Sequence, residues 1–184
     1  MIVIRNIWKH FRKIQTHRKW VLYYCFKCGI FWQGIKHDLS KYSPTEFFES
    51  VKYYQGTSSP INAAKADKGY SDAWFHHKGR NKHHYQYWTD LSLPEQAIMM
   101  PYKYAAEMVC DELAAGIAYN GKNWTNHTQL DYYMNKERKN LINPHIDKFL
   151  IATFTQVSEK GIDATLTKKN IKELYNKYCV RMEN

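Results

Sequence analysis

The chain is expected to be an all-α helical bundle in a single domain, on three observations. Apolar residues recur three and four apart over most of its length, prolines, glycines and capping residues fall at the ends of those runs, and no useful stretch alternates apolar with polar. A site-bearing core is expected over residues 1–120, with further helices over 121–184 as a C-terminal extension. At 184 residues, with 44% hydrophobic and 16% aromatic residues, the composition is globular and long enough to bury a core. The formal charge of +10, from 27 Lys and Arg against 17 Asp and Glu, favours anionic partners. Phosphorylated small molecules, nucleic acid and an acidic membrane surface all qualify.

The first helix is expected over residues 4–28. Ile4, Ile7, Phe11, Ile14, Val21, Cys25 and Cys28 form its apolar stripe, and Arg5, Lys9, Arg12, Lys13, Arg18 and Lys19 make it basic. His17 sits on that stripe between Ile14 and Val21, so it faces inward. A lone inward histidine is usually just packed and hydrogen-bonded; the residues downstream offer it another use. Residues 21–35 are apolar, but a membrane span needs about 20 residues and Lys27 interrupts this run, so a buried core helix is expected. Cys25 and Cys28 lack the second C-x-x-C of a four-ligand zinc site and read as buried small hydrophobes. Reduced thiols at these positions and at Cys110 and Cys179, with no secretory signal, point to the cytoplasm.

Gly29 and Gly34 are expected to loosen the chain ahead of I-K-H-D-L-S-K-Y-S-P-T-E-F, Ile35 to Phe47. Adjacent residues inside a helix point about 100° apart, but at a helix end His37 and Asp38 can turn toward one point. A borderline nitrogen donor beside a hard oxygen donor suits a divalent transition metal. Ser43, Pro44, Thr45 and Glu46 make a capping box that starts a helix through about residue 54. Residues 55–60 read as a loop.

Residues 63–73 are weakly patterned. The run W-F-H-H-K-G-R-N-K-H-H-Y-Q-Y-W follows, Trp74 to Trp88. Tyr70, Trp74 and His77 fall at i, i+4 and i+7, which turns His77 inward and His76 away. After an expected break at Gly79, Asn81, His84, Tyr85 and Trp88 share a face with His83 and Tyr87 on its flank. A basic aromatic patch that stacks bases competes with a metal-binding reading of this run. Residues 91–100 link to a helix opened by Pro101, in which Tyr104, Met108, Asp111, Ala115 and Ala118 share a face and Glu107 lies one turn before Asp111. An Asp among Met and Ala is costly unless paired or coordinated; a buried Lys or Arg is the plain alternative. Asn120-Gly121 ends that helix. Helices are then expected over 127–142, 144–160 and 167–182, the last capped by Thr167. His127 and His145 have no partner pattern and stay outside the site.

The order of His17, His37-Asp38, His77, His83 or His84, and Asp111 resembles the HD-domain metal-dependent phosphohydrolase superfamily over roughly residues 16–118. H-D-L-S-K is similar to the H-D-x-x-K form of several branches. The resemblance implies an HD-domain-like bundle holding one or two divalent ions (Mn, Fe, Mg, Ni or Zn), with His17 as first histidine, His37 and Asp38 as the doublet, and Asp111 as closing aspartate. His77 with His83 or His84 would match the extra histidines of dinuclear branches. The spacing from His17 to His37 is shorter, and the paired histidines closer together, than in those branches. The Trp74 to Trp88 run also resembles a small uncharacterised family of bacterial and phage proteins with no assigned activity.

Phosphoester hydrolysis is the function this implies, the metal lowering the pKa of a water to supply hydroxide near neutral pH. Lys41, Arg80 and Glu107 are the candidates for catalytic roles. Lys41 and Arg80 would bind phosphate oxygens, Arg80 in bidentate fashion, while Glu107 and Asn81 would orient ligands. Tyr85, Trp88 and Tyr104 could stack a base, so a nucleotide is the expected substrate. Two other readings remain: an HD-fold di-iron oxygenase, and a non-catalytic protein that binds a nucleotide or nucleic acid.

Overall fold

A computed structural model describes residues 2–56, 58–135 and 141–180, without the side chains of 2–4. The fold is all-α; the only strand-like feature among the described residues is an isolated bridge between Thr89 and Ala97. Among the described residues ten α-helices follow in order: α1 (Ile2–Lys27), α2 (Phe31–Lys36), α3 (Pro44–Lys52), α4 (Pro60–Lys68), α5 (Asp72–Arg80), α6 (Tyr102–Asn120), α7 (Thr128–Asn135), α8 (Pro144–Lys160), α9 (Ile162–Thr165) and α10 (Lys168–Tyr175). None of the helices is long and apolar enough to cross a membrane, among the described residues.

α6 is the central post. Ala105, Ala106, Val109, Cys110, Leu113 and Ala114 are buried along it, and their small size lets α1 lie close alongside. From α1, Val21, Tyr24, Cys25 and Cys28 enter the same core, which continues through Ile146, Phe149, Leu150 and Phe154 of α8 to Leu166 and Ile171. The C-terminal helices therefore share one core with α1 and α6 rather than standing behind it as an extension. All four cysteines are free and buried.

The expected core helix over 21–35 is instead two helices. Gly29, at φ +72°, turns the chain where L side chains are strained, and a Cβ there would meet Cδ of Lys168 at 2.6 Å. Phe26, Phe31, Trp32 and Ile35 are exposed on this hairpin, not buried. Gly34 does not loosen the chain: it sits inside α2, where a Cβ would lie 2.8 Å from Cβ of Cys25, so its missing side chain is what lets α2 close onto α1.

Ser43 caps α3 through its Oγ, which accepts from N of Glu46 at 3.4 Å. The weakly patterned stretch holds α4, which starts at Pro60 within the expected loop and ends on Gly69. α5 runs through Gly79 to Arg80, so the break falls at Asn81 rather than at Gly79. Of the helix expected over 127–142, Thr128–Asn135 is helical and residues 136–140 lie outside the described ones. Thr167 caps α10 by accepting from N of Asn170, and π-type turns then carry the chain to Val180; residues 181 and 182 of the expected helix lie outside the described ones.

Candidate metal centre

Four segments deliver side chains to one buried point. His17 comes from the inward stripe of α1, His37 and Asp38 from the turn that ends α2, His77 from α5 with His83 and His84 just beyond it, and Asp111 from the middle of α6. Asp38 has φ +54°, the one left-handed non-glycine residue among the described residues. That backbone costs of order 1 kcal/mol or more for an Asp, and it lets adjacent His37 and Asp38 converge on one spot.

The side chains form two groups that share Asp38. In one, ligand atoms of His17, His37, Asp38 and Asp111 all lie within 4.8 Å of one another; in the other, those of Asp38, His77, His83 and His84 do. In the first group, Nε2 of His17 is 3.0 Å from Asp111 Oδ1, 3.3 Å from Nε2 of His37 and 3.7 Å from Asp38 Oδ2. Nε2 of His37 is 3.2 Å from Asp38 Oδ2 and 3.4 Å from Asp111 Oδ1. Two donors each about 2.1 Å from one ion would stand about 3.0 Å apart at a right angle and about 3.4 Å apart at the tetrahedral angle. The observed separations fall close to those values. Asp38 turns its other oxygen to the second group, with Oδ1 3.3 Å from Nε2 of His77 and 3.5 Å from Nε2 of His83.

The outward nitrogens are held as well. Glu107 accepts from Nδ1 of His37 at 2.9 Å, lies 3.2 Å from Nδ1 of His83 and takes Nε2 of Gln33 at 2.8 Å. Glu46 accepts from Nδ1 of His77 at 2.7 Å and from Nδ1 of His76 at 2.6 Å. A carboxylate has only lone pairs to offer, so each of these rings carries a proton on Nδ1, and His37, His83 and His77 turn Nε2 inward while His76 stays outside both groups. Glu46 is the residue missing from the sequence expectations, which gave it to the capping box. Its backbone N–H does complete the Ser43 cap, while its side chain turns to the histidines.

Burial and charge agree with a cation-shaped hole. Asp38 is 1% exposed, yet neither of its oxygens makes a hydrogen bond, and Nε2 of His83 and of His84 also lack one. Lys41 Nζ approaches Asp38 Oδ2 at 2.6 Å as an ion pair without hydrogen-bond alignment. Burial works against a charge on Asp38, but His37, Lys41 and His77 outweigh it and hold its carboxyl well below the usual range. Asp111 is likewise pushed well down, burial being outweighed by His17, His37 and His83, and Glu107 is brought to about 2 by His37 and His83 against its burial. Burial lowers the pKa of His84 and His17, whereas Asp38, Asp111 and Glu107 overcome it at His37 and raise that ring. Buried carboxylates that stay ionised around unpartnered imidazole nitrogens fit a divalent transition metal.

A cavity of about 560 Å³ opens onto this floor, with His17, Lys41, His77, His84 and Asp111 in its lining and Trp74, Tyr85, Tyr54 and Tyr119 on its walls. Other expected site residues lie elsewhere. Arg80 is exposed at the end of α5, outside the cavity lining, because the helix continues past Gly79 and turns it to solvent. Trp88 and Tyr104 pack on each other, ring centroids 5.7 Å apart, and Nε1 of Trp88 donates to O of Lys82; neither ring lines the cavity. Asn81 is buried but structural, its Nδ2 donating to Ser40 Oγ at 2.7 Å and to O of His77 at 2.8 Å. Tyr85 is the one expected stacking residue in the cavity wall.

A family model described as a family of unknown function (DUF5662) matches residues 6–156. No curated protein and no solved structure matches the chain.

Proposed function

The chain belongs to that family of unknown function, and from the site alone we propose that it is a metal-dependent hydrolase of a phosphoester, a nucleotide being the substrate class its cavity suits. The observation that carries the reading is the pair of buried four-residue groups joined through Asp38 at the floor of a cavity. The order of these residues also resembles that of the HD-domain phosphohydrolases. His17, His37, Asp38 and Asp111 would hold one divalent ion, and Asp38, His77, His83 and His84 a second. Five imidazoles favour Mn, Fe, Ni or Zn over Mg, which prefers oxygen ligands.

When bound, such ions supply positive charge to a phosphoryl group and lower the pKa of water. The chain does the rest. Glu107 and Glu46 keep the Nδ1 protons in place, so His37, His83 and His77 present Nε2 without a tautomer change. Lys41 lines the cavity beside Asp38, where its ammonium can take a phosphoryl oxygen once a cation neutralises that carboxylate. The cavity volume lies within the range of small-molecule sites, and Trp74 and Tyr85 give a base flat surfaces to lie against.

The test is elemental analysis of protein purified without a histidine tag, with hydrolysis of bis-p-nitrophenyl phosphate and p-nitrophenyl phosphate measured alongside. Stoichiometric metal with phosphoester turnover in the wild type, both lost in Asp38→Ala at unchanged helicity, supports the reading. A wild type that takes up no divalent metal sinks it. The imidazole-rich second group favours one further reading, a di-iron oxygenase. Two irons with a mixed-valence signal, and no phosphate release, would select it.

A further inference from the structure

Asp38 is the first acidic residue of the chain: residues 1–37 hold eight Lys and Arg and no Asp or Glu. This segment folds into the α1–α2 hairpin, and the outside of that hairpin is aromatic. Trp20, Tyr23 and Phe26 follow one another three apart on the outer face of α1, and Phe31 and Trp32 continue the surface across the turn. Phe26 is 67% and Trp32 70% exposed. Ring contacts join these side chains in two groups, Trp20 with Tyr23 at 6.2 Å, and Phe31 with Phe26 at 6.2 Å and with Trp32 at 5.7 Å. Ile35 and Leu39 extend it in the aliphatic direction, both exposed. Arg12, Lys19 and Lys36 are exposed around it, whereas Lys27 is tied to Asp163 and Arg18 to the carbonyls of Ile35 and His37.

Two features must be satisfied by whatever covers this face: cations in excess, the one acid beside them, Asp163, being already paired with Lys27, and protruding Phe, Trp, Ile and Leu side chains. A nucleic acid answers the cations and can stack on rings, but gives Ile35 and Leu39 nothing apolar to enter. A second copy of the chain would bring an equally basic, acid-free hairpin against this one. A bilayer with anionic headgroups answers both, since Trp and Phe settle at the boundary between headgroup and acyl chain while Lys and Arg meet the surface charge. We propose that the α1–α2 hairpin is a peripheral docking face for an anionic lipid bilayer. The protein lies on the bilayer here and does not span it. This rests on the hairpin surface alone and stands or falls apart from the metal reading.

Flotation of the full chain with phosphatidylcholine vesicles, with and without about one third phosphatidylserine, tests it. The wild type is expected to float with the anionic vesicles only, and to be released at about 0.5 M salt, where screening is nearly complete. The double variant Phe26→Ser, Trp32→Ser should bind at least tenfold more weakly, and Lys19→Ala about fivefold more weakly, with unchanged helicity. Quenching of wild-type tryptophan emission by brominated lipid in the same vesicles checks insertion without any substitution. No flotation of the wild type with anionic vesicles overturns the proposal, as does flotation of the double variant equal to wild type. Single-stranded DNA binding or dimerisation that disappears in the double variant, in a protein that ignores vesicles, also overturns it and assigns the face to nucleic acid or a second copy.

Discussion

Buried polar groups meet different fates in the two halves of this molecule. In the half built on α7 to α10, most are closed off: Thr153 Oγ1 donates to O of Phe149 at 2.7 Å, Thr165 Oγ1 to O of Gly161 at 2.9 Å, and Gln129 Nε2 to Glu112 of α6 at 2.9 Å, while Nε1 of Trp124 and the hydroxyl of Tyr102, at its edge, lie apart without a hydrogen bond. In the half built on α1, α3 and α5, Asp38 and the inward nitrogens of His83 and His84 are as deeply buried and have no hydrogen-bond partner. Leaving such a group without a hydrogen bond costs about 1–3 kcal/mol, which at Asp38 the ion pair with Lys41 offsets in part. What sets the second half apart is that its unbonded groups converge on one point, a place suited to something the fold does not itself supply.

Three substitutions sharpen or break that contrast. The largest effect is expected from Phe154→Ala in the closed half, where a fully buried ring packs against Tyr133. It should cost about 3–5 kcal/mol in denaturant unfolding and leave metal stoichiometry intact. A loss of metal there, at conditions where the variant is still folded, would mean that the halves are not separable. Glu107→Gln is smaller and opposite in kind. The amide cannot hold both Nδ1 protons as a carboxylate does, so metal affinity should fall about 10–100-fold, read by titration with a chelator of known strength. Affinity equal to wild type would show that Glu107 only fills space.

The effect spread over the widest pH range, and at neutral pH the smallest, concerns His10, on the inward face of α1 against Phe47 and Tyr54. Burial, helped by Lys41, lowers its pKa to about 4. The unfolded chain takes up this proton near the ordinary value of about 6.5 and the folded chain does not until much lower. The stability it carries is therefore full above that ordinary value and is lost as pH falls toward 4. At about 1.4 kcal/mol per unit the upper bound is about 3 kcal/mol. His10→Phe should flatten that part of the stability profile, measured by urea unfolding between pH 7 and pH 4.5. An unchanged slope would place the acid sensitivity on other groups of the same half, the histidines of the site first among them.

Much of the site was legible because helical spacing carries direction. His17 on the stripe of Ile14 and Val21 and Asp111 beside Met108 point inward from α-helices whose phase the apolar residues declare; His77 also points inward, but in phase with buried Ala73, since Tyr70 is exposed ahead of α5. What lay between helices was less readable. The choice between His83 and His84 stayed open because both sit past the end of α5, where no helical phase applies, and the structure brings both into one group. Arg80 and Trp88 lie past the expected break, where the helix ends at Asn81 rather than at Gly79, and Tyr104, on α6, packs on Trp88 instead of lining the cavity. Glu46 was hidden by its own backbone, whose N–H does serve the cap while the carboxylate serves His76 and His77. The left-handed turn at Asp38 left only a faint trace in residue type, since Asp tolerates that region better than most residues but does not require it.

α1 has three commitments around its circumference: Val21 and Cys25 to the core, His17 to the site, and Trp20 and Tyr23 to the outside. Adding or deleting one residue within it would swing everything on one side by about 100° relative to the other. Such a length change between His17 and Val21 would unseat the histidine or bury the tryptophan, so this stretch should admit exchanges of residue but none of length.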